Sequence, residues 1–81
     1  MRKDTKINLI GVIAHAYGFR ETSRHIWKHK SRPFRFRFSP RKVYFETCRD
    51  GKHYESVFDF WNNKISIDDV VAIDHYLRQH F

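Results

Sequence analysis

The sequence is poor in cysteine, glycine and proline, and the scarcity of cysteine narrows the cellular locations to expect. Its one cysteine, Cys48, cannot form an internal disulfide. Small secreted domains normally carry several cysteines, so we expect the reducing cytoplasm as the location. The longest mostly apolar stretch, residues 7–17, is interrupted by polar residues and is too short to span a bilayer. We therefore expect no signal segment, no anchor and no membrane partner.

Aromatic residues are abundant, at 17% of the 81 residues, and they must supply most of the buried area. A chain of this length holds one hydrophobic core, because the buried share of the surface falls as chains become shorter. We predict a single domain over residues 1–81, with residues 1–4 frayed. A symmetric homodimer would cover apolar surface that so short a chain cannot bury alone.

Helical spacing and capping pairs predict four helices. Residues 5–17 carry apolar side chains at helical spacing, and Gly18 follows at a favoured position for a helix end. A second, shorter helix is predicted to begin at Thr22 or Ser23 and to end before Pro33. Two more are predicted near the carboxyl end, because Ser56 and Ser66 are each followed three residues later by an aspartate, as in a capping box.

Strict alternation predicts strands in the middle of the chain. Between Phe34 and Phe38, phenylalanine alternates with arginine, so the rings and the guanidinium groups face opposite sides. The partner strand is predicted at residues 43–48 after a turn at residues 39–42, with Arg35 opposite Glu46. Asp50-Gly51 predicts a return strand at residues 52–56. The predicted class is α+β, with two N-terminal helices, a two- or three-stranded antiparallel β-meander and two C-terminal helices.

Positive charge is concentrated in the first half of the chain. The net charge is +7, and nine of the sixteen lysines and arginines lie between Arg20 and Lys42. Such a cluster favours a nucleic-acid phosphate backbone, DNA rather than RNA, as in a regulator of a phage or mobile element. The predicted contact residues are Arg20, Arg24, Lys28, Lys30, Arg32, Arg35, Arg37, Arg41 and Lys42.

Residues 14–19 resemble part of a helix-turn-helix motif, since Ala14, Gly18 and Phe19 match its small residue, its turn glycine and the apolar residue that follows. The resemblance implies that residues 20–30 enter a major groove and that the next hairpin contacts the backbone. Arg24 departs from the motif, which has an apolar residue at that position.

Two alternatives come from other functional classes. The first is a small inhibitor or adaptor protein that docks on an acidic surface of a partner protein. The second is a metal-independent ribonuclease, because the predicted element order is similar to that of ribosome-dependent ribonuclease toxins. His53, with Arg35, Arg37 and Tyr54, would then carry the acid–base chemistry. Without a nucleophile motif or a glycine-rich phosphate loop, however, we predict a protein that is not an enzyme and uses no cofactor.

Four potential metal ligands are considered because they pair in the predicted fold. His25 and His29 lie four residues apart on the predicted second helix, while Cys48 and His53 face each other across the predicted hairpin. Together they would form a tetrahedral zinc site. Their spacing matches no common zinc motif, and neighbouring lysines and arginines oppose a dication, so we predict no metal.

Overall fold

In the computed structural model, which describes residues 3–81, five strands lie between two helices in the chain. The elements are α1 (Lys3–Ala16), β1 (Phe19–Ser23), β2 (Ile26–His29), β3 (Phe34–Phe38), β4 (Lys42–Cys48), β5 (Tyr54–Trp61) and α2 (Ile67–His80). The strands form one antiparallel sheet whose spatial order follows the chain. The α+β class is confirmed, whereas the predicted order of two helices, three strands and two helices is wrong.

The end of α1 and the start of α2 lie where local chemistry favours them. Gly18 has φ +96°, a left-handed conformation that suits glycine just after a helix, and α1 ends at Ala16. At the start of α2, Ser66 and Asp69 form the predicted capping box. Each of the two described helices has 14 residues, and neither is long and apolar enough to span a membrane. Of the segment predicted to fray, Met1 and Arg2 lie outside the described residues.

The core lies between the helices and one side of the sheet, here called the inner face. Phe19, Phe36 and Phe45 are fully buried there, with ring centroids 4.8–6.1 Å apart. Ile73 and Leu77 of α2 pack in the same cluster. Burying rings of this size supplies most of the hydrophobic free energy of so small a domain.

The central hairpin has the predicted register. Phe38 is opposite Val43, and Arg35 is opposite Glu46. The turn is held by Ser39, whose Oγ accepts a hydrogen bond from the Lys42 amide at 2.9 Å. The inward orientation of the phenylalanines and the outward orientation of the arginines are both confirmed, since Phe36 is fully buried on the inner face.

The predicted second helix is wrong, because residues 19–29 form the β1–β2 hairpin. Ser23 pairs with Ile26, so Arg24 and His25 alone make the turn, and His25 has φ +68°. Turns of this kind are usually marked by glycine, asparagine or aspartate, and neither residue is of that type. The helix-turn-helix interpretation is therefore also wrong, since a strand stands where the recognition helix would lie.

The predicted third helix is wrong as well, because residues 54–61 form β5. Glu46 pairs with Ser56 while Phe45 pairs with Phe58, so Val57 is an extra residue in a β-bulge. The bulge changes the phase of the apolar pattern and produces a spacing that resembles a helix. β5 also starts two residues later than predicted, at Tyr54, which pairs with Cys48.

Candidate nucleic-acid interface

The side of the sheet away from the helices, here called the outer face, gathers five of the nine predicted contact residues. Cross-strand partners point to the same side of a sheet, so the register places Arg20, Lys28 and Arg35 in one row over β1, β2 and β3. Arg37 and Lys42 lie on the same face. Within the described residues, both helices pack on the inner face, so the outer face has no helix over it.

The other four predicted contacts lie at the two ends of the sheet. Arg24 and Arg41 are in the β1–β2 and β3–β4 turns, which lie at the same end, and both are exposed. Lys30 and Arg32 lie in the β2–β3 connection at the opposite end and are also exposed. The nine cations thus occupy one face of the sheet and its two rims, rather than a helix and a hairpin as predicted.

One carboxylate joins two of the outer-face arginines. Glu46 Oε1 accepts hydrogen bonds from Arg35 Nε at 2.9 Å and from Arg37 Nε at 3.2 Å. The Glu46 side chain is only 9% exposed, against 18% for Arg35 and 36% for Arg37. Burial raises the pKa of the Glu46 carboxyl, but hydrogen bonds from the two guanidiniums outweigh it, and the pKa lies below its usual value. Arg35 is therefore largely committed to the fold.

The same cations lie over aromatic rings of the outer face. The Arg35 guanidinium carbon is 3.6 Å from the centroid of the Tyr54 ring, and that of Arg37 is 3.9 Å from the centroid of the Tyr44 ring. Lys42 Nζ is 4.6 Å from the ring of Trp61. Such contacts hold planar groups in fixed orientations. The outer face is therefore an ordered array of cations and rings.

Lys42 also has an acidic partner, Asp59, on the neighbouring strand. Its Nζ lies 2.9 Å from Asp59 Oδ1, and this contact holds the pKa of the Asp59 carboxyl below its usual value. Even so, the cations of the outer face outnumber its two carboxylates, Glu46 and Asp59. Arg20 and Lys28 are exposed and lie opposite each other on β1 and β2.

Comparison of the chain with protein-family models gives no match. No curated protein and no solved structure matches it significantly either. The assignment of a function therefore depends on the geometry alone.

Arg20 and Arg32 have a second role at the carboxyl ends of the two helices. Arg20 Nη1 donates to the His15 carbonyl at 2.9 Å, and Arg32 Nη1 donates to the His80 carbonyl at 2.8 Å. Cations at these positions satisfy helix carbonyl groups and oppose the negative end of the helix dipole. Part of the basic charge therefore stabilises the fold.

The four potential metal ligands are distributed over separate parts of the sheet. His25 is in the β1–β2 turn, and His53 is in the β4–β5 turn, where its Nδ1 is 3.0 Å from Asp50 Oδ2. His29 Nε2 donates to the Tyr17 carbonyl while Nδ1 accepts from the Arg32 amide. Burial lowers the pKa of His29 below its usual value. Residues 3–81 contain no group of three or more side chains able to hold a metal ion.

The residues that the ribonuclease alternative requires take part in separate contacts. Tyr54 lies under Arg35, and Arg37 is bound to Glu46. His53 is exposed, and its hydrogen bond lowers the pKa of Asp50 to about 2. The element order that suggested the toxins is not the described one, so that similarity no longer supports the alternative.

The pH dependence of stability should report on the carboxylate of Glu46. Because its pKa is lower in the folded than in the unfolded chain, it stabilises the fold above its unfolded pKa of about 4.5. That contribution is lost as the pH falls through the folded pKa. We expect Glu46→Gln to lower the free energy of unfolding at neutral pH by about 2 kcal/mol, because two mostly covered cations lose their partner.

Urea titrations at several pH values measure this effect. The difference between the wild type and Glu46→Gln should shrink as the pH falls from about 5 towards 3. Glu55→Gln is the matched control, since Glu55 is 60% exposed and pairs only with exposed Arg49. It should change stability by less than about 0.5 kcal/mol. A difference between wild type and Glu46→Gln that does not depend on pH would contradict the stabilising role of the carboxylate.

Proposed function

We propose that this protein binds nucleic acid, and that the outer face of the sheet contacts the phosphate backbone. The observation that carries the proposal is the row Arg20, Lys28 and Arg35 on three adjacent strands, on a face that the helices leave uncovered. Neighbouring strands are about 4.8 Å apart, so the three side chains form one row, in which Lys28 is exposed, Arg35 is paired with Glu46 and Arg20 donates to the His15 carbonyl. Arg24, Arg41, Lys30 and Arg32 extend the row beyond both ends of the strands.

The types of side chain favour nucleic acid over an acidic protein surface. Arginines present planar donor groups that bind phosphate oxygens in pairs, and a guanidinium stacked on a ring keeps one planar orientation. Aromatic rings between the cations are typical of surfaces that bind bases and phosphates together. Here Tyr44, Tyr54 and Trp61 lie next to cations. An acidic protein partner would need the cations but not the rings.

The contacts to Glu46 and Asp59 limit how many phosphates the face can neutralise. Arg35 and Lys42 already have carboxylate partners and are mostly covered. The exposed cations are two members of the row and the four of the rims, namely Arg20, Arg24, Lys28, Lys30, Arg32 and Arg41. We therefore expect about five phosphate contacts. The logarithm of the binding constant should then fall with the logarithm of the salt concentration, with a slope of about −4.

A gel-shift titration over a range of salt concentrations tests the proposal. Single-stranded DNA, duplex DNA and RNA of equal length are the ligands. We expect a complex whose affinity falls steeply with salt, whatever the sequence of the ligand. The absence of any complex at about 50 mM salt would overturn the proposal. In that case a pull-down from nuclease-treated lysate tests the alternative partner, an acidic protein.

A further inference from the structure

A cleft beside Trp61 lies at one end of the outer face, next to the β3–β4 turn. Trp61 is the last residue of β5, and it remains half exposed, at 50%. The cleft has a volume of about 280 Å³ and is lined by Trp61, Pro40, Arg41, Asn62 and Asn63. None of these residues is acidic. Lys42, which is opposite Trp61 on β4, and Asp59 of β5 lie close by.

Hydrogen bonds hold the two walls of the cleft together. The backbone N–H of Asn62 donates to the Arg41 carbonyl at 2.8 Å, and the side-chain Nδ2 of Asn62 donates to the Ser39 carbonyl at 3.0 Å. Asn62 is buried, at 7% exposed, so it ties the end of β5 to the β3–β4 turn. The cleft therefore exists before any ligand binds, which reduces the entropy lost on binding.

The lining combines the groups that a nucleotide requires. The indole of Trp61 offers a flat apolar surface for stacking, and the exposed amide of Asn63 offers both a donor and an acceptor for the edge of a base. Arg41 is exposed and lines the cleft, so a phosphate attached to the base has a cation nearby. Stacking on an aromatic side chain accepts any base, because every base has a π face.

On the basis of the function proposed above, we propose that this cleft binds an unpaired base stacked on Trp61, and that the protein prefers single-stranded nucleic acid to duplex. In a duplex, neighbouring bases cover both faces of each base, and its Watson–Crick edge is paired. A base in a duplex must leave the stack to reach Trp61, whereas a base in a single strand is already accessible. Both helices lie on the opposite side of the sheet, so they cannot enter a groove of a duplex bound here.

Tryptophan fluorescence tests this inference, because the chain has two tryptophans. Trp27 lies on the inner face and packs against the core, so the variant Trp27→Phe leaves Trp61 as the sole reporter. A short thymidine strand should quench it and should bind about tenfold more tightly than an abasic strand of equal length or a duplex. In the reciprocal variant, Trp61→Phe, the remaining Trp27 should show no quenching.

Removal of the ring gives the matching affinity measurement. Trp61→Ala should weaken binding of the thymidine strand about 5- to 100-fold and leave binding of the abasic strand unchanged. Val57→Ala is the control, since Val57 is another exposed apolar residue of β5. Equal affinities for thymidine, abasic and duplex ligands without quenching would overturn the base-binding cleft and leave the phosphate-backbone proposal standing. Failure to bind any of the three ligands would overturn both.

Discussion

The double variant Arg20→Glu with Lys28→Glu should bind nucleic acid about 100-fold more weakly than the wild type at low salt. Both side chains are exposed on adjacent strands, so the change replaces two cations by two repulsive carboxylates. Because Arg20 also donates to the His15 carbonyl, a thermal melt must show that the variant is folded. Each lost contact should also reduce the salt slope by about 1, because fewer counterions are released. Gel-shift titrations at several salt concentrations measure both effects.

The control must change the net charge equally without touching the outer face. Lys64→Glu with Arg78→Glu does so, since Lys64 precedes α2 and Arg78 lies within it, on the helical side of the sheet. Arg78 is exposed and pairs with Asp74 at the surface, 3.0 Å away, so its replacement should cost little stability. If both double variants lose affinity to the same extent, binding follows the overall charge of the protein and the outer face is not the interface.

Phe36→Ala should destabilise the protein by about 3 to 5 kcal/mol, which is a large share of the stability of a domain this small. Phe36 is fully buried at the centre of the sheet, 5.1 Å from Phe19 and 4.8 Å from Phe45 between ring centroids. Truncation leaves a cavity that rigid neighbouring strands cannot fill. Urea denaturation measures the loss, and a variant that does not fold at all agrees with the upper part of this range.

Two further substitutions calibrate that result. Phe36→Leu keeps most of the volume and should cost clearly less than Phe36→Ala. Val12→Ala, at a position 65% exposed on α1, should change stability by less than about 0.5 kcal/mol. A stable Phe36→Ala protein that had lost nucleic-acid binding would show that the rings of β3 contact ligand rather than the core.

The elements that sequence analysis predicted correctly are those in which a regular local pattern has no irregularity. The alternation in β3 determined the two faces, and a turn of fixed length then set the register with β4, including Arg35 opposite Glu46. The capping box at Ser66 likewise defined the start of α2. In each case, local hydrogen bonding and burial favour the same structure.

The missed β1–β2 hairpin and the missed second half of β5 share a physical reason, because in each of them an irregularity interrupts the alternation. In the β1–β2 hairpin the register shifts between Glu21 and Ser23, and in β5 it shifts at Val57. A bulge moves the following side chains to the other phase of the pattern, so a strand of alternating residues imitates helical spacing. Residues 58–61 alternate between the inner and the outer face, and this alternation is the sequence signal that indicates a strand there.

Sequence analysis selects nine cations as contact residues, and this selection stays a prediction. Their division between the outer face and its rims depends on the β1–β2 hairpin, which the sequence predicts as a helix. The link from Arg35 to Tyr54 required the correct register of β5, and the cleft at Trp61 required that β5 extend to that residue. Such contacts between distant residues follow from tertiary packing, which a local pattern does not encode.

The strand order of the sheet bears on how the chain reaches its structure. Each described strand pairs with the strand that comes before or after it in the sequence, so every hairpin closes a short loop. Proteins dominated by such neighbouring contacts fold faster than sandwiches of equal size, whose strands must find distant partners. The packing of α1 on α2, together with the hydrogen bond from Lys6 Nζ to the Ile65 carbonyl, joins the two ends of the chain. The meander is therefore able to assemble as one continuous unit, and the docking of the two helices against it completes the fold.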